Sequence, residues 1–310
     1  MNLSGNAFSF AWEVTLIKWL QNTLGDKAVS VVSSFSVFGE EMVMILILGA
    51  VYWGWSKKTG KAIGVTMIMG ILWSTMIKNI FVRRRPYFDD PDIKILRPVD
   101  KKADIYDISA QGWSFPSIHS TIALGMTGSL AKETKKKVFR VLAVVIPVLV
   151  GLSRVTVGAH YPTDIIGGWL VAAAALIIVP LLRKKIRNEK LMFGLLILLS
   201  LPGMFFCRST DYFSAFGLLL GFSAGCLFEE KYVQFENTGN IVRVALRTIG
   251  GVAIFFGMNS LLKLPFPKEF LDSGVYAALL VRAARYAVIA FLEFAVYPML
   301  FKATAGLWKS

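Results

Sequence analysis

The chain has 310 residues, of which 55% are hydrophobic and 17% charged, and it carries a formal net charge of +14. Soluble domains carry about 25% charged residues, so this composition, with a mean hydropathy of +0.59, argues against a large soluble protein with buried helices. The positive charge does not mark a nucleic-acid binder. Its basic residues sit in short clusters between apolar runs, where membrane topology signals lie, and no recognition motif or aromatic-interleaved basic helix occurs.

Residues 8–23 set Ala11, Trp12, Leu16 and Trp19 against Glu13 and Lys18. They read as a helix lying in the membrane interface and not as a cleaved signal peptide. About nine apolar spans follow, at roughly 38–55, 62–82, 117–131, 138–155, 163–183, 190–207, 212–228, 241–263 and 275–302. Segments close to 20 residues suffice to cross a hydrocarbon core of about 30 Å. The fold class expected is therefore all-α, a polytopic transmembrane helical bundle with an N-terminal interfacial helix. The natural division is a core over 1–185, which holds every motif below, and a four-span extension over 186–310.

Basic clusters follow alternate spans: Lys57, Lys58 and Lys61; Lys132, Lys135, Lys136, Lys137 and Arg140; Arg183, Lys184, Lys185, Arg187 and Lys190; Lys231, Arg243 and Arg247; Lys302 and Lys309. The positive-inside rule puts these in the cytoplasm, with the N-terminus outside and the C-terminus inside. The 83–116 connection then lies outside, although Arg83, Arg84, Arg85, Lys94, Arg97, Lys101 and Lys102 make it basic. A loop of that length is more often functional than idle. Cys207 and Cys226 belong to consecutive spans and are expected on the order of 20 Å apart, too far for a disulfide.

Three segments carry chemistry, and all fall on the outer side in this topology. In the first, Lys78 precedes Arg85-Pro86 by seven residues, which on one continuous helix places both cations on a single face. A guanidinium fork and a compact ammonium both suit phosphate; the plainer reading is a topology cluster at a helix end. In the second, Ser114-Phe115-Pro116-Ser117-Ile118-His119 opens the third span. Pro116 suits a first helical turn, the free N–H groups beyond it favour an anion, Ser117 adds a hydroxyl, and His119 can supply a proton. In the third, Arg154 ends one helix and Asp164 begins the next, with His160 four residues before Asp164. That spacing lets the carboxylate hold one ring nitrogen while the other faces a substrate. Both histidines of the chain lie in these segments. No acidic cluster suggests a metal, and no cofactor is called for.

Lys78 with six residues before Arg85-Pro86, then Pro116-Ser117-Ile118-His119, then Ser153-Arg154 with five residues before His160 and three before Asp164, resembles the three-part signature of the type 2 phosphatidic acid phosphatase superfamily. The resemblance covers about residues 35–185. It implies a metal-independent membrane phosphatase that hydrolyses a lipid phosphate monoester or diphosphate through a phosphohistidine. His160 would be the nucleophile, Asp164 its support and His119 the acid for the leaving oxygen. Lys78, Arg85, Ser117, Ile118 and Arg154 would hold the phosphoryl group. The implied partners are a lipid phosphate and the bilayer, with a homodimer surface among the roles open to the extension.

Where the family usually has glycine, this chain has Ile118, which excludes a positive φ there at ordinary cost and narrows the pocket. Nine spans and an outer site are also similar to the glucose-6-phosphatase branch, which keeps a soluble sugar phosphate as an alternative substrate. A non-catalytic lipid-phosphate binder or transporter is the third reading. In the last span, Arg282 and Glu293 share a face and are expected as an ion pair in preference to a ligand contact, with Arg285 beside them.

Overall fold

The computed structural model describes residues 5–303, and among these the regular structure is helical. The longer helices are α1 (Ala11–Thr23), α2 (Asp26–Ser34), α3 (Glu41–Gly49), α4 (Lys57–Phe81), α5 (Ile118–Thr134), α6 (Lys137–Thr156), α7 (Pro162–Lys185), α8 (Glu189–Ser200), α9 (Thr210–Phe228), α10 (Ile241–Leu261) and α11 (Tyr276–Phe291). The chain is a multi-span membrane protein. By length and composition six helical stretches can cross a bilayer, or seven if the pair Lys27–Gly39 and Glu41–Trp55, bent by 51°, counts as one. The sequence reading of about nine spans therefore stands at six or seven by this measure. α5 has only 17 residues, and the stretch beginning with α11 passes through a π-helical turn at Leu292–Val296.

Two compact units partition the chain. The first holds residues 1–43 and 73–176. In it, α1 does more than rest on a surface. Glu13, Ile17 and Leu20, spaced i, i+4 and i+7, form its buried face, while Trp12 and Trp19 remain exposed. Ile17 and Leu20 join Tyr87, Phe88, Ile93, Val155, Tyr161 and Ile165 in one apolar cluster. α1 is thereby fixed to the loop after α4 and to the α6–α7 connection. Arg97 donates to Ser33 O (3.0 Å) and Ser36 Oγ (2.9 Å), so part of the basic charge of the 83–116 loop is spent on holding that loop down. The 3₁₀ turn Phe35–Gly39 meets the start of α5 so closely that a Cβ on Gly39 would stand 2.8 Å from His119 Cβ.

The second unit holds residues 44–72 and 177–310. One end of it is fastened by ion pairs: Lys61 to Glu189 (2.8 Å) and Glu230 (3.2 Å), and Lys57 to Glu229 (2.9 Å). α9 and α11 touch along a seam of small residues, the packing mode that serves helices in a solvent as apolar as their side chains. Cys207 and Cys226 are free and buried, in keeping with the expected separation. The Arg282–Glu293 pair expected from the sequence is not made. Arg282 Nε donates to Ser214 Oγ (2.7 Å), and Arg285 Nη2 donates to Asn259 Oδ1 (2.6 Å). Eleven residues of helix rise about 16 Å, so a shared face does not bring these two side chains into contact.

A Cβ added at Gly221 would lie 2.0 Å from Ala287 O on α11, whereas one added at Gly257 meets nothing within 4 Å. Gly221→Leu is expected to cost about 1–3 kcal/mol by overpacking and to lower the unfolding temperature in detergent. Gly257→Leu should leave that temperature nearly unchanged. Equal responses would mean that α9 and α11 are not packed this way.

Candidate active site

The site is assembled from three chain segments of the first unit. α4 ends at Phe81, one residue before Val82 turns the chain with φ +44°. Arg85 therefore does not continue the helix of Lys78, as the seven-residue spacing suggested. It is extended (φ −77°, ψ 157°) ahead of Pro86, because a residue preceding proline is pushed out of the helical region. The two cations still converge through their side chains. Lys78 Nζ donates to the carbonyls of Trp113 and Ser114, and Arg85 donates to the carbonyls of Gln111 (2.9 Å), Gly112 (3.0 Å) and Ala159 (2.9 Å).

The second segment also departs in detail from the sequence reading. Pro116 lies outside the first turn of α5. It precedes the N-cap, Ser117, and follows Phe115 through a cis peptide bond. Ser117 Oγ accepts from the N–H of Ser120 (3.4 Å), and Ser117 N–H donates to Asp164 O (2.9 Å). The free N–H groups of the helix start thus belong to Ile118 and His119. Ile118 is helical and its φ is not positive, so replacing a glycine there costs no backbone strain. His119 lies within electrostatic reach of His160, Arg154, Arg85 and Lys78.

In the third segment, Asp164 Oδ2 lies 3.4 Å from His160 Nδ1, and Arg85 Nη1 lies 3.4 Å from His160 Nε2. One ring nitrogen thus faces a carboxylate and the other a cation. Burial, followed by the nearby charges of Arg85, Lys78 and Arg154, holds the imidazole well below its ordinary pKa. It is therefore neutral at pH 7 with a lone pair to offer. Arg154 is 4% exposed, and its Nε meets no acceptor among the described residues. A buried guanidinium left short of acceptors is costly and is ready for an anion.

Five residues around Asp164 have roles that the sequence pattern does not reveal. Arg83 Nη1 donates to Asp164 Oδ1 (2.7 Å) and to Thr163 Oγ1 (2.7 Å), and its Nη2 donates to Glu13 Oε2 (2.8 Å). Glu13 Oε1 takes the N–H and the hydroxyl of Thr163 (3.0 and 2.6 Å). Ser114 Oγ and the Tyr161 N–H (2.8 Å) donate to Asp164 Oδ2. Glu13, Arg83 and Asp164 are all 0% exposed. The signal that would have found Glu13 is its register with Ile17 and Leu20: a carboxylate on the buried stripe of a helix requires a buried cation.

Among the described residues, no three His, Cys, Asp or Glu side chains are grouped to hold a metal. What this arrangement can do chemically is hold a dianion between Lys78, Arg85, Arg154 and a helix start, beside an imidazole whose Nδ1 stands 3.4 Å from a carboxylate.

Comparison with known proteins points to one family. The PAP2 superfamily model matches residues 59–188, and the model of the PAP2 superfamily phosphatase transmembrane extension matches residues 213–309. The chain is 30% identical over 141 residues to the undecaprenyl-diphosphatase of Sulfolobus acidocaldarius, covering 44% of this chain and 62% of that relative. It is 30% identical over 149 residues to undecaprenyl-diphosphatase BcrC of Bacillus subtilis, covering 46% and 70%. It is 29% identical over 134 residues to the lipid A 1-phosphatase of Rhizobium etli, covering 41% and 53%. No solved structure matches the chain.

Two outcomes test the site. Arg83→Met leaves two buried carboxylates facing each other, and is expected to cost about 3–5 kcal/mol of stability with loss of phosphatase activity. Arg84→Met, which breaks a more exposed pair with Asp89 (2.6 Å), should cost about 1 kcal/mol or less. Thermal unfolding of the two variants side by side decides. For pH, the depressed pKa of His160 places the acid limb of kcat/KM below about 6.5. Lys78→Gln removes a neighbouring positive charge, raises that pKa and should move the limb to higher pH. A limb that stays in place or moves to lower pH speaks against this electrostatic assignment.

Proposed function

The chain belongs to the PAP2 superfamily, and from that premise we propose that it hydrolyses a lipid phosphate or diphosphate through a phosphohistidine, at the outer face of the cell membrane. The observation that carries the reading is the arrangement of His160, flanked at 3.4 Å by Asp164 on one nitrogen and by Arg85 on the other. His160 Nε2 attacks phosphorus, and the bond to the leaving oxygen breaks as His119 protonates that oxygen. Asp164 stabilises the positive charge that develops on the imidazole. Lys78, Arg85, Arg154 and the N–H groups at the start of α5 hold the equatorial oxygens. Phosphoryl transfer asks mainly for in-line placement and charge neutralisation, and this set supplies both without a metal. Water, deprotonated by His119, then breaks the P–N bond and releases phosphate.

Two of the relatives are named for a polyprenyl diphosphate and one for a lipid A phosphate. A long-chain lipid diphosphate is accordingly the substrate class favoured here over a soluble sugar phosphate. Such a substrate keeps its tail in the bilayer while its head group reaches the site. The outer location rests on the alternation of basic clusters. A homodimer through the extension remains a proposal that the same preparations can address by mass.

The test is phosphate release from purified chain in EDTA, across undecaprenyl diphosphate, phosphatidate and glucose 6-phosphate. The lipid diphosphate should be turned over fastest, and His160→Ala should abolish release. Faster turnover of glucose 6-phosphate would overturn the substrate class. Full activity of His160→Ala would overturn the mechanism.

A further inference from the structure

The second unit contains a cation cluster that the proposed reaction does not use. Arg282 and Arg285 lie one turn apart on α11. Arg285 is 6% exposed, and Arg282 is half-buried. Among the described residues, no carboxylate pairs with either of them. Asp211, Glu269 and Asp272, the acidic residues nearest in sequence to the adjoining helix ends, are exposed. The charged neighbour that weighs on Arg285 is Arg282, a like charge. They donate to neutral groups: Arg282 to Ser214 Oγ, and Arg285 to Asn259 Oδ1 and O (2.6 and 3.3 Å). Arg285 Nε is buried and meets no acceptor among the described residues. Two adjacent guanidinium groups carry ten N–H donors, and these contacts occupy few of them. A third cation, Arg208, lies over the ring of Tyr276 (5.2 Å) at the start of the same helix.

Depth says what kind of anion fits. Ser214 is four residues into α9, and Asn259 is two residues from the end of α10. At about 1.5 Å per residue both lie within roughly 6 Å of a helix end. Both helices are candidate spans, so the guanidinium groups, carried six and nine residues into α11, meet their partners near the boundary between hydrocarbon and head groups. Charges in a membrane segment are paired or functional. The outward residues near this end, Leu261, Leu264, Val275 and Leu280, are exposed and apolar, and acyl chains would lie against them.

We propose that α9, α10 and α11 form a second anionic site, which binds the head-group phosphate of a membrane lipid between Arg282 and Arg285. It is separate from the catalytic centre and does not depend on the reaction proposed there. A phosphate at this point answers the like-charge repulsion, supplies the buried Nε with an acceptor and leaves the lipid tails in the bilayer.

The probe is phosphatidylglycerol, a phosphodiester that a phosphomonoesterase does not cleave, so the readout is independent of catalysis. Purified full-length chain in detergent is followed by native mass spectrometry and thermal unfolding. One phosphatidylglycerol should be retained per chain, with a rise of a few degrees in Tm. Phosphatidylcholine should give neither effect. The adduct should persist in His160→Ala and disappear in Arg282→Gln/Arg285→Gln. Equal retention of phosphatidylcholine would overturn the proposal, as would an equal rise in Tm with inorganic phosphate alone. If the double variant does not fold, the head-group comparison on the unaltered chain decides by itself. Retention in an inactive chain, or its absence in an active one, keeps this question apart from that of the mechanism.

Discussion

The buried contact of Arg83 with Asp164 and Glu13 is the constraint around which the catalytic segments are arranged. A guanidinium taken out of water is tolerated only if its donors are met. Here Nε finds Phe8 O, Nη1 finds Thr163 and Asp164, and Nη2 finds Glu13. The plane is enclosed by the rings of Phe8 (4.5 Å) and Tyr161 (4.0 Å). Each partner comes from a different stretch: the residues before α1, α1 itself, the α6–α7 connection and the first turn of α7. One side chain therefore ties together the N-terminal segment, the loop after α4 and the carboxylate that supports His160. Burying the triad also carries a risk: removing one member leaves the others charged and unpaired.

The other cations show the opposite policy. Lys78 and Arg85 are buried, and Lys78 donates to two backbone carbonyls and Arg85 to three. A carbonyl satisfies a donor without cancelling its charge. Gathering Lys78, Arg85 and Arg154 around one imidazole is unfavourable while the site is empty, because the charges repel and are partly desolvated. A phosphoryl dianion relieves both penalties at once, and relieves them most when its charge spreads over the equatorial oxygens. Three consecutive arginines illustrate the division. Arg83 is neutralised for structure, Arg84 faces Asp89 nearer the surface, and Arg85 keeps its charge beside His160. Extended backbone, which turns successive side chains to opposite sides, is what allows three neighbours three different surroundings.

How much of this was legible depends on whether the information was local. The helical class, the membrane character and the pairing of His160 with Asp164 follow from apolar periodicity and an i, i+4 spacing across a loop. The seven-residue spacing of Lys78 and Arg85 suggests one helix face, but the helix of Lys78 stops at Phe81, and the two meet through their side chains instead. Glu13 and Arg83 were missed because their partnership spans 70 residues, and each alone resembles an ordinary interfacial or loop charge. Arg282 and Glu293 failed in the converse sense. Shared helical phase was legible, but phase says nothing of rise, and three turns separate the two. The count of spans depends on the measure: a 17-residue helix such as α5 reads as a span by its apolarity and falls short of one by its length.

Ile118 shows how backbone geometry changes the meaning of a substitution. A glycine in this motif suggests either a left-handed conformation or a need for room. The helical backbone of Ile118, at the first position after the Ser117 cap, removes the first possibility. What separates isoleucine from glycine here is therefore bulk and apolarity beside the two N–H groups that open α5. An apolar side chain there lowers the local dielectric and strengthens N–H to phosphate attraction, while reducing the room for a bulky leaving group. Those effects pull kcat/KM in opposite directions, and the balance depends on the shape of the substrate next to phosphorus.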